Sequence, residues 1–356
     1  MGYIRFLLAS IVIMVHANAS LVPSIGSLGA VQTFFIISGF YMAATYERNY
    51  SGDYRAMTFL AGRFIRLYPT YLIVLLLTWG AWLVFGPGSS GIGLSNYFSA
   101  DGPKPHFAVW TLLFQDIVSI DESGQLLLPV RQAWSISAEL AFYAFVPLMM
   151  RWRAFALPIA LAGFALKVAL FYIGGWRYAY FPFFAEFGYF AFGFWLFQIR
   201  ARLTWQRPVA IAIAVVFCVY VLCAGTAGWE ISTTVRNIVL IAATALMLPS
   251  CFEHLKGRGS NFFGDISYGA YIAQFLVLAV LIDLGVIDRH LDGGFIDKLG
   301  RLVAVLALSA LIAALIEVTV QSRVDAWRRG WRRSSRRTFD PERAESAVLT
   351  VPGNAE

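Results

Sequence analysis

Long apolar runs separated by short polar segments fill the chain from its first residues to about residue 321. A helix needs roughly 20 consecutive apolar residues to cross the hydrocarbon core of a bilayer. The pattern therefore predicts an all-α integral membrane protein, a bundle of about ten transmembrane helices. The predicted spans cover residues 3–21, 26–46, 67–86, 131–150, 154–173, 182–199, 208–226, 235–252, 263–284 and 299–321.

Two further segments complete the predicted organisation. The apolar stretch at about 107–120 is too short to span and contains Asp116, so it is predicted to be a re-entrant or interfacial helix. After a transmembrane domain over residues 1–322, the segment 323–356 is rich in arginine and then polar. That composition predicts a tail whose basic part touches anionic lipid and whose remainder is disordered.

The positive charges predict the orientation of the bundle. With the N-terminus inside, cytoplasmic loops and the tail hold 20 of the 28 lysines and arginines, and the outer loops hold seven. Membrane proteins carry their Lys and Arg excess on the cytoplasmic side. The sequence therefore predicts a multi-pass inner-membrane protein with both termini in the cytoplasm. Counting 107–120 as a crossing would move Arg151 and Arg153 outside, which favours ten spans.

Composition narrows the classes of protein. Hydrophobic residues make up 59% of the chain and charged residues 14%, against about 45–50% and about 25% in soluble domains. The net charge of +7 lies in short clusters between apolar runs, so no nucleic-acid partner is predicted. His106, His254 and His290 are isolated in loops and the cysteines form no CxxC pair, so no metal site is predicted.

Arg5 and His16 are the first candidate pair. They are 11 positions apart on one predicted helix, which places them within about 20° of the same face and about 16 Å apart along the axis. Arg5 would lie at the cytoplasmic surface and His16 near the middle of the membrane. An ionisable group at that depth usually faces a cavity or a partner. A histidine hydrogen-bonded between helices fits the spacing equally well.

Arg63 and Arg66 are the second candidate pair. They are three positions apart, on one helix face just before a predicted span, and Pro69 follows them. From spacing alone a positive-inside anchor is the simpler interpretation. Together with Arg5 they could instead clamp an anionic phosphate group, which suits the forked geometry of arginine.

Carboxylates inside apolar spans need partners. Glu139 requires a cationic or donor group, for which His16, Lys167 and the arginines are candidates, and a purely structural buried pair is the alternative. Glu317, at the end of the last span, could bind a lysine or arginine of another helix. Four further acidic residues near span ends are predicted to be interfacial: Asp116, Glu186, Asp265 and Asp283.

Ser38 and Gly39 would let a helix or a ligand approach closely. Helix packing is the favoured interpretation, because no GxSxG motif accompanies Ser38. A serine-hydrolase triad is therefore not predicted.

In these residues the sequence resembles the membrane-bound acyltransferase-3 family, whose bacterial members acylate sugars of lipopolysaccharide, exopolysaccharide, Nod factors, peptidoglycan or antibiotics. The resemblance covers about residues 2–322. Six motifs occur in the family's order: Arg5 with His16, Phe34–Phe40, Arg63 with Arg66 and Pro69, Trp134–Tyr143, Gly264 with Ser267, Tyr268 and Tyr271, and Ile316 with Glu317. Many relatives carry a histidine where this chain has Gln274, which puts a second catalytic histidine in doubt.

The resemblance implies transfer of an acyl group, most simply acetyl, from cytoplasmic acetyl-CoA or another acyl-CoA to a hydroxyl of a cell-surface or exported carbohydrate. His16 would be the general base and Glu139 would orient it, balance its charge or hold an arginine. Arg5, Arg63 and Arg66 would bind the donor. The supporting residues would be Ser38, Trp134, Tyr143, Tyr268 and Glu317. The expected partners are membrane lipid and a carbohydrate acceptor, in a bacterial inner membrane.

Three alternatives stay open at this point. An acyl-histidine intermediate is a variant of the same reaction. A transporter or flippase of lipid-linked sugars would predict inverted repeats, and the sequence has none that we detect. A non-catalytic scaffold would not need Arg5 and His16 on one face. The acceptor sugar, the acyl length and the oligomeric state are not specified by the sequence.

Overall fold

The computed structural model describes residues 1–50, 56–85, 107–118, 128–225, 233–288 and 293–338. All regular structure in these ranges is helical, which confirms the predicted all-α class. The helices are α1 (Gly2–His16), α2 (Gly26–Asn49), α3 (Ala56–Phe85), α4 (Phe107–Thr111), α5 (Gln115–Val118), α6 (Ala133–Arg151), a 3-10 turn (Arg153–Phe155), α7 (Ala156–Tyr178), α8 (Phe183–Gln198), α9 (Arg200–Leu203), α10 (Arg207–Cys223), α11 (Thr233–His254), α12 (Arg258–Asp283), α13 (Phe295–Ile316), a π turn (Glu317–Gln321) and α14 (Ser322–Thr338).

Seven helical stretches of the described chain are long and apolar enough to cross a membrane. Helices α1 and α10 are apolar but shorter, and α8 has 16 residues. Each of the ten predicted spans falls on a helix, and the number of crossings stays a prediction. The seven stretches are Gly26–Asn49, Ala56–Phe85, Ala133–Arg151, Arg153–Tyr178, Val235–His254, Arg258–Asp283 and Phe295–Trp331.

Several boundaries differ from the predicted ones. Helix α1 ends at His16 instead of continuing to residue 21, and Asn18 after it has a positive φ of 49°. Helix α3 begins at Ala56, so Arg63 and Arg66 lie inside it and not before it. Helix bounds alone do not fix the depth of these side chains in the membrane, so their depths stay predictions.

The stretch predicted to be re-entrant or interfacial forms the two short helices α4 and α5. Val109 and Leu112 are buried, and the Tyr71 hydroxyl donates a hydrogen bond to the Val109 carbonyl. Asp116 is also buried, and it accepts hydrogen bonds from the Ser137 hydroxyl at 2.8 Å and from the Phe183 amide at 2.9 Å. The carboxylate of Asp116 therefore joins α5 to α6 and α8, and its predicted interfacial depth stays a prediction.

Lys167 and Glu186 form a buried ion pair between α7 and α8. The Lys167 Nζ lies 2.6 Å from the Glu186 carboxylate, whose side chain is fully buried. Glu186 is therefore paired inside the protein, and Lys167 is not the partner of Glu139. Removing one member of such a pair strands a charge in an apolar environment, so the two residues depend on each other.

The predicted tail begins as helix α14, which continues from the π turn and packs against α3. Arg328 donates a hydrogen bond of 2.9 Å to the Gly62 carbonyl and pairs with Asp325 at 2.9 Å. The first part of the tail therefore contacts the transmembrane domain. The disorder predicted for the end of the tail concerns residues 339–356, which lie outside the described residues.

Small residues let the central helices touch backbone to backbone. A Cβ atom added at Gly39 of α2 would lie 2.0 Å from the Phe190 carbonyl oxygen, and one at Gly193 of α8 would lie 1.9 Å from the Ile36 oxygen. Close approach at small residues supplies the packing between helices where lipid offers no hydrophobic driving force. The interpretation of Gly39 as a helix-packing residue is thus confirmed.

We predict that Gly39→Ala lowers the melting temperature of the detergent-purified protein, because the new methyl group must separate α2 from α8. Overpacking of this kind costs about 1–3 kcal/mol. Gly80→Ala is the matched control, since a Cβ atom at Gly80 of α3 meets nothing within 4 Å. Equal melting temperatures for the two variants would contradict the tight crossing of α2 and α8.

Candidate functional site

A cavity of about 440 Å³ lies among α1, α2, α3, α6, α12 and the π turn. Along α2 its lining residues recur every three or four positions, and they extend over about 25 Å of helix. From the inner end outwards the side chains change from apolar to hydroxyl-bearing to cationic. They include Val31, Phe34, Phe35, Ser38, Tyr41, Met42, Thr45 and Arg48.

The cationic end of the cavity, here called the mouth, is lined by Arg5, Arg48, Arg63, Arg66 and Lys256. Arg63 is only 8% exposed, and its guanidinium lies 5.6 Å from the centre of the Phe59 ring. In the described part of the chain, neither Arg5 nor Arg63 has a carboxylate within salt-bridge distance, and the Nε atoms of both lack a hydrogen-bond partner. A buried and a half-buried cation at the mouth are thus available to an anion.

Arg66 differs from these two arginines because the protein supplies its counter-ion. Its Nη2 atom lies 3.1 Å from the Asp265 carboxylate, so Asp265 belongs to the mouth and not to a bare interface. Glu317 also lines the mouth and lies within electrostatic reach of Arg66. This neighbour is of the kind predicted for Glu317, namely a basic residue of another helix.

Side chains from two other elements hold the arginine-bearing turn of α3. Pro69 has no amide hydrogen, so the helix loses a backbone hydrogen bond in this turn. The Gln321 amide in the π turn donates to the Arg66 carbonyl at 2.9 Å, and the Tyr268 hydroxyl donates to the Leu67 carbonyl at 2.9 Å. Tyr268 therefore supports the mouth through the backbone of α3.

Glu139 lies in the middle of the cavity, between α2 and α6. Its carboxylate accepts short hydrogen bonds from the hydroxyl groups of Ser38 and Tyr143, and all three residues line the cavity. Of the partners proposed for Glu139, Lys167 is engaged elsewhere and His16 is hydrogen-bonded to another residue. Hydroxyl donors hold the carboxylate instead. This contact joins the Phe34–Phe40 motif to the Trp134–Tyr143 motif.

The inner end of the cavity, here called the floor, includes Phe34, Ser135 and Tyr271. The Ser135 hydroxyl donates to the Gln132 carbonyl at 2.9 Å, so the Tyr271 hydroxyl, 2.9 Å from the Ser135 Oγ, donates to that oxygen. Neither Ser135 nor Tyr271 was a sequence candidate for the site. The residues that recur every three or four positions along α2 were the available signal for a cavity. That pattern does not identify the residues of other helices that face α2 across the cavity.

His16 does not line the cavity, although Arg5 does. Helices α1 and α12 run parallel, since the Gly2 amide donates to Ser260 and the His16 ring contacts Gln274. Gln274 is three residues beyond Tyr271, which places His16 about one turn, roughly 4–5 Å, past the floor. The predicted shared face of Arg5 and His16 therefore does not bring both side chains into one cavity.

His16 ends α1 and is held by α12. Its Nδ1 atom lies 3.3 Å from the Gln274 Oε1 atom, and its ring stacks on Phe275 with 4.8 Å between the ring centres. The predicted continuation of this helix to residue 21 is wrong, because the helix ends at His16 itself. The depth of His16 near the middle of the membrane stays a prediction. The histidine is therefore fixed in place by neighbours next to the cavity floor.

Trp134 also lies outside the cavity lining. Its ring packs edge-on against Tyr180 at 4.7 Å and Phe181 at 5.0 Å between ring centres. Ser135, the next residue, reaches the floor. Trp134 therefore anchors the start of α6, which sets the position of the polar residues that follow it.

The described residues contain no group of three or more His, Cys, Asp or Glu side chains arranged to hold a metal ion. The polar chemistry of the cavity instead consists of arginines, hydroxyl groups and single carboxylates. Such a set can bind an anion at one end and position a neutral polar chain along the middle.

Comparison with known proteins identifies the family of this chain. A family model described as an acyltransferase domain, that of the acyltransferase-3 family, matches residues 1–318. Nodulation protein 10 from Rhizobium leguminosarum bv. viciae is 27% identical over 333 aligned residues, which cover 80% of each chain. No solved structure matches the chain significantly. The match over nearly all the helical bundle shows that the protein belongs to the acyltransferase-3 family and is an acyltransferase of the non-aminoacyl type.

Proposed function

We propose that the protein is an O-acyltransferase, and most simply an O-acetyltransferase, of a bacterial inner membrane. It moves the acyl group of cytoplasmic acyl-CoA to a hydroxyl of a cell-surface or exported carbohydrate. The observation that carries the proposal is a single cavity that joins arginines without counter-ions to a hydroxyl-bearing floor beside His16. Both termini lie in the cytoplasm and ten helices cross the bilayer, as the distribution of positive charge favours.

The mouth suits the phosphates of the donor. Arg5 and Arg63 offer guanidinium donors that no described carboxylate neutralises. Arg48 and Lys256 add charge at the same end. Arginine binds phosphate through paired, charge-assisted hydrogen bonds, and burial strengthens each contact. Arg66 is already paired with Asp265, which holds its side chain in place. It would add positive electrostatic potential at the mouth.

The middle of the cavity suits the thin, amide-bearing arm of coenzyme A. Ser38, Glu139 and Tyr143 form a fixed polar cluster there, and apolar residues of α2 continue from it to the floor. The Glu139 cluster would align the arm, and Trp134 would support it by anchoring α6. With phosphates at the mouth, the arm would direct the thioester to the floor next to Tyr271.

His16 would take the proton of the acceptor hydroxyl as that oxygen attacks the thioester carbonyl. A new C–O bond forms, the tetrahedral intermediate collapses, and the C–S bond breaks. The departing thiolate of coenzyme A then receives the proton from His16, so no acyl group stays on the protein. An imidazole suits both transfers because it can accept and return a proton near neutral pH. An acyl-histidine intermediate is the variant of this scheme.

A carbohydrate acceptor is supported by the family's range of sugar substrates and by the relative whose name is a nodulation protein. His16 lies past the floor and not inside the cavity. The acceptor would therefore approach from the side opposite the mouth, and the thioester end of the arm, sulfur included, would need to reach past the floor to meet it and His16.

We predict that deleting the gene removes one acyl substituent from a surface or exported carbohydrate and leaves the rest of that molecule intact. Mass spectrometry of carbohydrates from deleted and complemented cells measures the difference, and radiolabelled acetyl-CoA tests the donor directly. Complete loss of the carbohydrate would support a transporter or flippase instead. Identical carbohydrates in both strains, with no label transferred, would contradict the proposal.

We predict that His16→Ala lowers the rate of acyl transfer by at least about 100-fold, because general-base catalysis contributes about that much or more. The measurement is acyl transfer by the purified protein, with folding checked by its elution profile and melting temperature. His254→Ala is the matched control, since His254 does not line the cavity and contacts only a loop carbonyl among its described hydrogen bonds. Full activity of the His16 variant would remove the base assignment.

We predict that Arg63→Ala raises the KM for acyl-CoA by about tenfold or more, because it removes a charge-assisted hydrogen bond worth about 1.5–3 kcal/mol. The turnover number should change less, since Arg63 lies at the mouth. Arg153→Ala removes the same charge at a surface pair with Glu47, 3.7 Å apart, outside the cavity. An unchanged KM in the Arg63 variant would mean that Arg63 does not bind the donor and serves only to orient the protein in the membrane.

A further inference from the structure

We infer that Gln274 is a positioning residue that keeps the proton of neutral His16 on Nδ1 and leaves Nε2 as the proton acceptor. The importance of this arrangement for catalysis rests on the proposed function, in which His16 is the base. The hydrogen-bond arrangement itself rests on geometry alone.

The amide of Gln274 has one orientation that satisfies its surroundings. The residue is 1% exposed, and its Nε2 atom lies 3.0 Å from the Tyr271 carbonyl oxygen. A carbonyl oxygen can only accept, so the nitrogen end of the amide must face Tyr271. The Gln132 amide donates to the same oxygen at 2.9 Å, so this carbonyl acts as an acceptor towards both side chains. The Oε1 end of Gln274 is thereby turned towards His16.

The orientation of the amide determines the tautomer of the histidine. The Gln274 Oε1 atom lies 3.3 Å from the His16 Nδ1 atom, and an amide oxygen has no hydrogen to give. The contact is a hydrogen bond only if Nδ1 carries the proton. In a neutral imidazole the other nitrogen then holds the free lone pair.

The ring of His16 is also prevented from turning. It stacks on Phe275, and the guanidinium of Arg131 lies 5.8 Å from the centre of the same Phe275 ring. Arg131 is the charged group that acts on His16 across this contact. A stacked ring with one nitrogen hydrogen-bonded presents the other nitrogen in a fixed direction, which is what a general base requires.

Histidine offers hydrogen-bonding groups like those of the Gln274 amide. A neutral imidazole has one donor nitrogen and one acceptor nitrogen, and a primary amide likewise offers a donor and an acceptor. A histidine at this position could therefore donate to the Tyr271 carbonyl and accept from His16 Nδ1, which makes Gln274→His the conservative variant.

The test compares Gln274→His, which keeps a donor and an acceptor, with Gln274→Leu, which removes both. We expect the leucine variant to lose turnover by at least about tenfold, because tautomer control is lost, with an unchanged KM for acyl-CoA. The histidine variant should stay within a few-fold of the wild type. Gln198→Leu makes the same chemical change at the end of α8, away from the cavity, and should have no effect.

A second readout does not depend on activity. Nitrogen-15 NMR of the histidine-labelled protein distinguishes the two neutral tautomers, and His16→Ala identifies the signal among four histidines. We expect the Nδ1–H form in the wild type and in Gln274→His, and a mixture in Gln274→Leu. An Nε2–H form in the wild type would overturn the inference, even if the leucine variant does not fold. An Nδ1–H form with a fully active His16→Ala variant would instead refute the proposed base and leave the positioning intact.

Discussion

Two guanidinium groups without a described carboxylate partner, the half-buried Arg5 and the buried Arg63, are the constraint on which the cavity depends. A cation buried among apolar helices is costly unless a partner compensates it. The protein compensates other buried charges internally, as Lys167 and Glu186 show. At the mouth, the proposed donor would supply the compensation. Pro69, Gln321 and Tyr268 fix the turn that carries Arg63, so that the uncompensated charge has a defined place.

The rest of the bundle maintains a polar passage through an apolar interior. Glycines at the crossing of α2 and α8 bring the backbones together on one side of α2, while its other side faces the cavity. Glu139 joins α2 to α6 through two hydroxyl groups. Tight packing on one face and hydrogen bonding on the other therefore hold α2 beside the cavity. The same helix lines the cavity and carries its change from apolar to cationic side chains.

The sequence was sufficient for the all-α class, the family and several of the polar side chains around the cavity. Spacing along a helix determines the angle between residues, so Ser38, Glu139 and the arginines could be selected. It does not determine which neighbour a side chain meets at each depth. Arg5 faces the mouth, whereas His16 meets α12. The sequence named Tyr271 and Gln274 as motif positions, but their contacts with Ser135 and His16 became visible only from the packing of helices far apart in the chain.

The floor lies between the cavity, which would hold the acyl donor, and His16, which would activate the acceptor hydroxyl. Thioesters are vulnerable to hydrolysis, and a base with free access to one would activate water as readily as a sugar. A layer made of Tyr271, Ser135 and the Gln274 amide stands between the two. Such a partition would slow hydrolysis of the donor thioester in the absence of an acceptor. The position of His16 one helical turn past the floor would then protect the donor from wasteful hydrolysis.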